Sequence, residues 1–170
     1  RDAFCAHVGL SPQRPYLLYL CSSPFIAPRE VDVVKRWIAA IRGSRCERLR
    51  TVGILVRPHP QNAAQWADVD LSDFGDVVIY PRAGANPIGL DARSEYYDSM
   101  SHSHAVVGVN TSALIESGII GRLVYSFRVP ELSGTQEGTL HFRHLKREGL
   151  LQLADTLEAH LAQLEQSFHA

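Results

Sequence analysis

Thr111 and Ser112 set two hydroxyls in succession where the apolar run Val106-Val107-Gly108-Val109 stops at Asn110 and a helical spacing of Leu114, Ile115, Gly118 and Ile119 begins. A turn from the carboxyl end of a buried strand straight into a helix presents unpaired N–H groups, and hydroxyls beside them add donors for phosphate oxygens. Glu116 follows four residues after Ser112, on the same helical face, where a carboxylate can accept hydrogen bonds from sugar hydroxyls. The set suits a nucleotide better than a bare phosphate. An ordinary N-cap followed by an exposed acidic residue accounts for the same pattern.

His59 stands between Pro58 and Pro60. The two prolines restrict the backbone on either side, so the imidazole is carried on a stiff turn. An imidazole titrating near neutrality can bind a phosphate and can protonate a departing phosphate oxygen, which makes His59 the candidate catalytic residue. A turn histidine with a satisfied ring is the plainer alternative. Arg57, just before it, either adds charge to the same site or is a solvated strand-end residue. Ser22 and Ser23 close another apolar run and are candidate substrate-binding residues with Asn110, Thr111, Ser112 and Glu116. Thr139 and His141 join them from a polar stretch that also carries Glu137, Arg143 and His144.

Other chemistries lose their support. His102 and His104 alternate, but no third ligand stands near them, so neither a metal nor a cofactor is expected. There is no GxGxxG between a strand and a helix, no GxxxxGK[ST] and no GxSxG. Cys5, Cys21 and Cys46 are an odd number without a CxxC pair and read as buried small hydrophobes in a reducing compartment. A net charge of -1 with scattered basic residues gives no electrostatic case for nucleic acid. No run is long enough to span a bilayer, and a cytoplasmic protein is expected.

The 170 residues, 45% of them hydrophobic, suffice for one core and show no composition break, so residues 1–170 are expected to form one domain. Apolar runs at Tyr16–Cys21, Thr51–Val56, Val77–Tyr80, Val106–Val109 and Leu123–Phe127 read as strands. Helical spacings separate them: a short opening helix within Asp2–Leu10, a stripe of Val31, Val34, Trp37, Ile38 and Ile41, and a helix over Ser94–Ser101. Arg128–Thr139 reads as a long polar loop, and the spacing from Leu150 to Phe168 predicts a final helix of about five turns. Alternating strands and helices imply an α/β fold, a three-layer Rossmann-like parallel sheet of about five strands with helices on both faces and the order 3-2-1-4-5. Such a sheet reverses its order between strands 1 and 4, and ligands bind at that reversal.

A strand ending in Ser22-Ser23, one ending in His59-Pro60 and one ending in Thr111-Ser112 with Glu116 a turn later resemble, in this order, the nucleotide-sugar-binding half of GT-B glycosyltransferases. The likeness is to bacterial capsule and sialyl-type transferases and CDP-glycerol glycerophosphotransferases, and more distantly to UDP-N-acetylglucosamine 2-epimerases. It implies a CMP-, CDP- or UDP-linked sugar as ligand, phosphate contacts for His59, Thr111 and Ser112, a ribose contact for Glu116, and a role in surface or capsule polysaccharide synthesis. Whole GT-B enzymes have two such halves, so the resemblance also implies a missing amino-terminal, acceptor-binding half, a parent protein at most peripheral to the inner membrane, and weak donor binding with no turnover by these residues alone. An epimerase-type isomerase domain and a non-catalytic nucleotide-binding module are the alternatives. If the last helix packs on the missing half, an apolar patch should be left exposed.

Overall fold

The computed structural model describes residues 1–169. Its centre is β1 (Tyr16–Leu20), five residues that are all buried. Strand side chains alternate, so Leu17 and Tyr19 enter one apolar layer while Tyr16, Leu18 and Leu20 enter the other. A strand apolar on both faces belongs between two layers of helices. On one side of it lies β2 (Gly53–Arg57), with Leu18 opposite Leu55; on the other lies β4 (Ala105–Val107), with Leu18 opposite Val106. Beyond these come β3 (Val77–Ile79), β5 (Leu123–Phe127) and β6 (Gln152–Ala154). All are parallel, in the order β3-β2-β1-β4-β5-β6.

The first layer is built on α2 (Glu30–Arg42), whose Val33, Val34, Trp37, Ile38 and Ile41 are buried, and on α3 (Glu47–Arg50) and α8 (Leu157–Ser167). The second holds α1 (Asp2–Val8), α4 (Leu90–Ser101), α5 (Ala113–Ile119) and α7 (Leu140–Arg147). Among the described residues no helix is long and apolar enough to cross a membrane. Cys5 and Cys21 are buried as free thiols, and Cys46 is half-buried.

The expected parallel order is present and is extended by a sixth strand. Two expectations need correction. The final helix starts at Leu157 rather than Leu150. Leu150, Leu151, Ala154 and Leu157 fit a helical period by coincidence, but Gly149 takes φ +73, which closes α7, and Thr156 caps α8 by accepting from Ala159 N at 3.1 Å. Between those two stops only a short strand fits. The stretch 128–139 is not an open loop: it holds a 3-10 turn at Pro130–Leu132 and α6 (Ser133–Gln136).

Gly108 follows β4 where the chain passes closest to β1: a Cβ there would lie 2.9 Å from the Leu20 carbonyl oxygen and 3.1 Å from Leu114 Cδ2. Gly108→Ala is therefore expected to cost about 1–3 kcal/mol, read as a lower urea midpoint, because neither backbone oxygen nor core leucine can yield freely. An unchanged midpoint would show that the β1–β4 approach is looser than this.

Candidate functional site

The strand order reverses between β1 and β4, and the segments that leave their carboxyl ends part to opposite faces of the sheet. What ties these segments together is a carboxylate. Glu30, at the start of α2, is completely buried; Oε2 accepts from Ser22 N at 2.7 Å, and Oε1 accepts from Ser22 Oγ and Tyr19 Oη, each at 3.1 Å. Burial pushes its pKa up from 4.5 to about 7 despite those donors. Ser22 Oγ in turn accepts from Asn110 N at 3.3 Å, joining the β1 loop to the β4 loop. The Asn110 amide donates to the Gln136 carbonyl (2.7 Å) and to Thr139 Oγ1 (2.9 Å), while its Oδ1 lies 2.7 Å from His141 Nε2. Gln136, also buried, donates to the Phe127 carbonyl at 2.7 Å and accepts from Val129 N at 3.0 Å. Three loops are thus held in one buried network.

His59 is fixed from another direction. The amide of Asn62, in the 3-10 turn that begins at Pro60, donates to the Ser22 and Ala27 carbonyls at 3.2 and 2.9 Å, which docks that turn on the β1 loop. His59 Nδ1 accepts from Gln61 N at 3.2 Å, and burial lowers its pKa. The neutral ring therefore carries its proton on Nε2, available as a donor.

Two adjoining cavities result. The larger, about 390 Å³, has Arg57, His59, Tyr96, Thr111, Ser112 and Glu116 in its walls. The smaller, about 190 Å³, is lined by Ser23, Phe25, Asn110, Thr139 and His141. His59, Thr111 and Ser112 belong to both. The Ser112 side chain makes no capping bond, and the backbone N–H groups of Thr111, Ser112 and Ala113 find no acceptor among the described residues. The Tyr96 phenol is pushed up by burial and further by the Glu116 carboxylate beside it.

Of the residues singled out from the sequence, His59, Thr111, Ser112 and Glu116 meet on the larger cavity and Ser23, Asn110, Thr139 and His141 on the smaller. Ser22 lines neither; it is fully buried, its N–H donates to Glu30, and its hydroxyl oxygen accepts from Asn110 N. Glu30, Tyr96 and Gln136 were not anticipated. Glu30 reads in the sequence as one more acidic residue in a helical first turn, and only its place four residues before Val34 on the apolar stripe hinted at burial. His102 and His104 serve elsewhere, His102 facing Asp98 and His104 stacking on Phe168 at 3.9 Å.

These features define a Rossmann-like domain with a polar cavity at its switch point. No family model and no curated protein matches the sequence. Solved structures with a similar fold include the following two. One is a UDP-GlcNAc 2-epimerase from Methanocaldococcus jannaschii (TM-score 0.60, 14% identity, 96% of this chain and 41% of that one). The other is the wall teichoic acid polymerase TagF (TM-score 0.55, 15% identity, 96% of this chain and 37% of that one). The chain thus spans about two fifths of the length of either. At such identities the likeness is one of fold, and it agrees with the GT-B-like half read from the sequence.

Proposed function

We propose that the chain is the donor-binding domain of a glycosyltransferase and that it takes a nucleotide-activated sugar in the cavity between β1 and β4. The observation that carries this reading is the meeting of His59, from the end of β2, with Thr111, Ser112 and Glu116, from the passage of β4 into α5, on one cavity. Phosphate oxygens receive the free N–H groups and hydroxyls of Thr111 and Ser112 together with His59 Nε2–H. Glu116 takes the ribose hydroxyls. Donors fixed before the ligand arrives stabilise charge that develops on the departing nucleotide, and a bound phosphate raises the His59 pKa toward the range where the ring can also give up a proton. Asn110, Thr139 and His141 border the compartment next to the phosphates, where Ser23 contributes its hydroxyl and the sugar or acceptor would lie.

A second lobe over this rim fits the surface. Phe25, Ile88, Leu90 and Leu140 are 70–85% exposed, and each lies in a segment that follows the carboxyl end of a strand. These side chains, rather than the last helix, form the apolar surface that a missing acceptor-binding half would cover. Capsule or other surface polysaccharide is the product class that goes with this reading.

The test is a titration of CMP, CDP, UDP and GDP into the protein, followed by amide shifts at residues 59, 111–113 and 116. His59→Ala and Ser112→Ala are each expected to weaken the nucleotide that binds by about 1–3 kcal/mol. Shifts that avoid these residues, or affinities unchanged in both variants, would remove the assignment. An isomerase of the epimerase type is the second reading. Incubating the protein that contains this domain with UDP-N-acetylglucosamine alone distinguishes the two, since an isomerase releases or inverts the sugar without an acceptor.

A further inference from the structure

Arg57 ends β2 and is 5% exposed. Its Nη1 has no hydrogen-bond partner, and none of the ion pairs among the described residues includes it. The guanidinium carbon lies 5.1 Å from the centre of the Tyr96 ring. Burial pulls its pKa down, and the carboxylate that opposes this most is Glu95. Glu95 Oε2 is already engaged, 2.9 Å from Tyr80 Oη and 3.2 Å from His7 Nε2. A guanidinium that is permanently charged, nearly out of water and without an ion-pair partner, its one charge-related contact being the Tyr96 ring, is a cost to folding that apolar residues of similar size would relieve. This one stands in the wall of the larger cavity.

The geometry places it in relation to the phosphate groups. Arg57 is the last residue of β2 and His59, two residues on, is again extended at φ -69 and ψ 136, and both residues line the same cavity. One phosphate is served by the Thr111–Ser112 donors and by His59, none of which holds a full charge before a ligand binds. Arg57 then remains, with a whole positive charge and a planar fork of donors suited to a second anionic group.

We infer that Arg57 receives a second phosphate and that the site takes nucleoside diphosphates in preference to monophosphates, an inference that rests on the nucleotide reading above. A monophosphate occupies the Thr111–Ser112 turn and leaves the buried guanidinium unpaired, whereas a diphosphate serves both.

The experiment measures affinities for CMP and CDP, UMP and UDP, and GMP and GDP by calorimetry, with phosphate and pyrophosphate as ligands that carry no nucleoside. In the wild type, the diphosphate of the preferred base is expected to bind about tenfold or more tightly than its monophosphate. Arg57→Met is expected to bring that ratio to within about twofold by weakening the diphosphate alone, while the melting temperature is unchanged or higher because an unpaired buried charge has been removed. Arg57→Gln replaces it should the methionine variant not fold. A wild-type ratio near one, or a preference that survives the loss of Arg57, overturns the inference. If no nucleotide binds but pyrophosphate is preferred over phosphate in an Arg57-dependent way, the role of Arg57 stands and the nucleotide reading falls. If pyrophosphate does not bind either, both fall.

Discussion

Asn110→Ala is expected to lower the stability of the protein by about 2–4 kcal/mol and to abolish detectable nucleotide binding, although Asn110 itself is buried away from the larger cavity. Its side chain serves the Gln136 carbonyl, Thr139 Oγ1 and His141 Nε2 at once. Truncation leaves the carbonyl of buried Gln136 without its donor, where an unsatisfied buried polar group costs more than the hydrogen bond contributed, and frees half-buried Thr139 and His141 from their common partner. The damage should be local. Segment 133–141 is tied to the sheet mainly through Asn110 and Gln136, so its amides should lose protection from hydrogen exchange while those of β1 and β2 keep theirs. Urea unfolding together with exchange measured residue by residue checks both halves of the expectation. A variant of ordinary stability, with the 133–141 segment still protected, would mean that Gln136 alone suffices to hold it. Asn110→Asp separates geometry from charge: it keeps the acceptor for His141 but gives up the donor to the Gln136 carbonyl, and it should fall between wild type and alanine.

The sheet was legible because its information is local. Tyr16–Leu20 and Gly53–Arg57 are apolar on both faces, and a strand of that kind has few places to go but the middle of a parallel sheet. The switch point and the His59, Ser112 and Glu116 wall followed from that order. The carboxyl-terminal third was harder, because its apolar residues satisfy two periods at once and the stops at Gly149 and Thr156 are needed to choose between them. The supports of the site were less legible: Ser22 and Asn110 were read as ligand contacts rather than supports, and Glu30 and Gln136 were not singled out. All four have ordinary local surroundings, and what distinguishes them is burial against one another across the chain, Ser22 meeting Asn110 over a separation of 88 positions. No spacing rule encodes such a contact. Arg57 lies between the two cases: its position at a strand end was plain, but whether it was solvated or sequestered depended on the packing of Tyr96 from α4.

The same buried network gives the protein a pH response that single variants should uncover. Glu30, raised from 4.5 to about 7, keeps its proton in the folded state when the unfolded chain has lost it, so its stabilising contribution is complete below pH 4.5 and is lost as pH rises through 7. His160 is the reverse case. It is completely buried among Trp37, Tyr125 and Phe127, accepts from Trp37 Nε1 at 3.0 Å, and is lowered by burial from 6.5 to about 3. Its contribution is complete above pH 6.5 and is lost as pH falls through 3. At full extent the two are worth about 3 and about 5 kcal/mol respectively. Between pH 4.5 and 6.5 the unfolded chain carries a proton on His160 and none on Glu30, while the folded protein carries one on Glu30 and none on His160. Proton counts are then equal, and the two slopes cancel. Glu30→Gln should expose the histidine: relative to wild type, stability rises with pH across this window by about 1.4 kcal/mol per unit. His160→Gln, which keeps an acceptor for Trp37, should expose the carboxyl, with stability falling by about the same amount per unit. Urea unfolding at three pH values within the window reads both slopes, whatever constant offset each substitution adds. Profiles parallel to wild type would mean that neither group titrates differently on folding. The carboxyl matters beyond stability, since Ser22 connects it to Asn110. Ionising Glu30 strengthens what Ser22 donates, and the hydroxyl that bridges the two loops of the switch point is held by a group titrating close to neutrality.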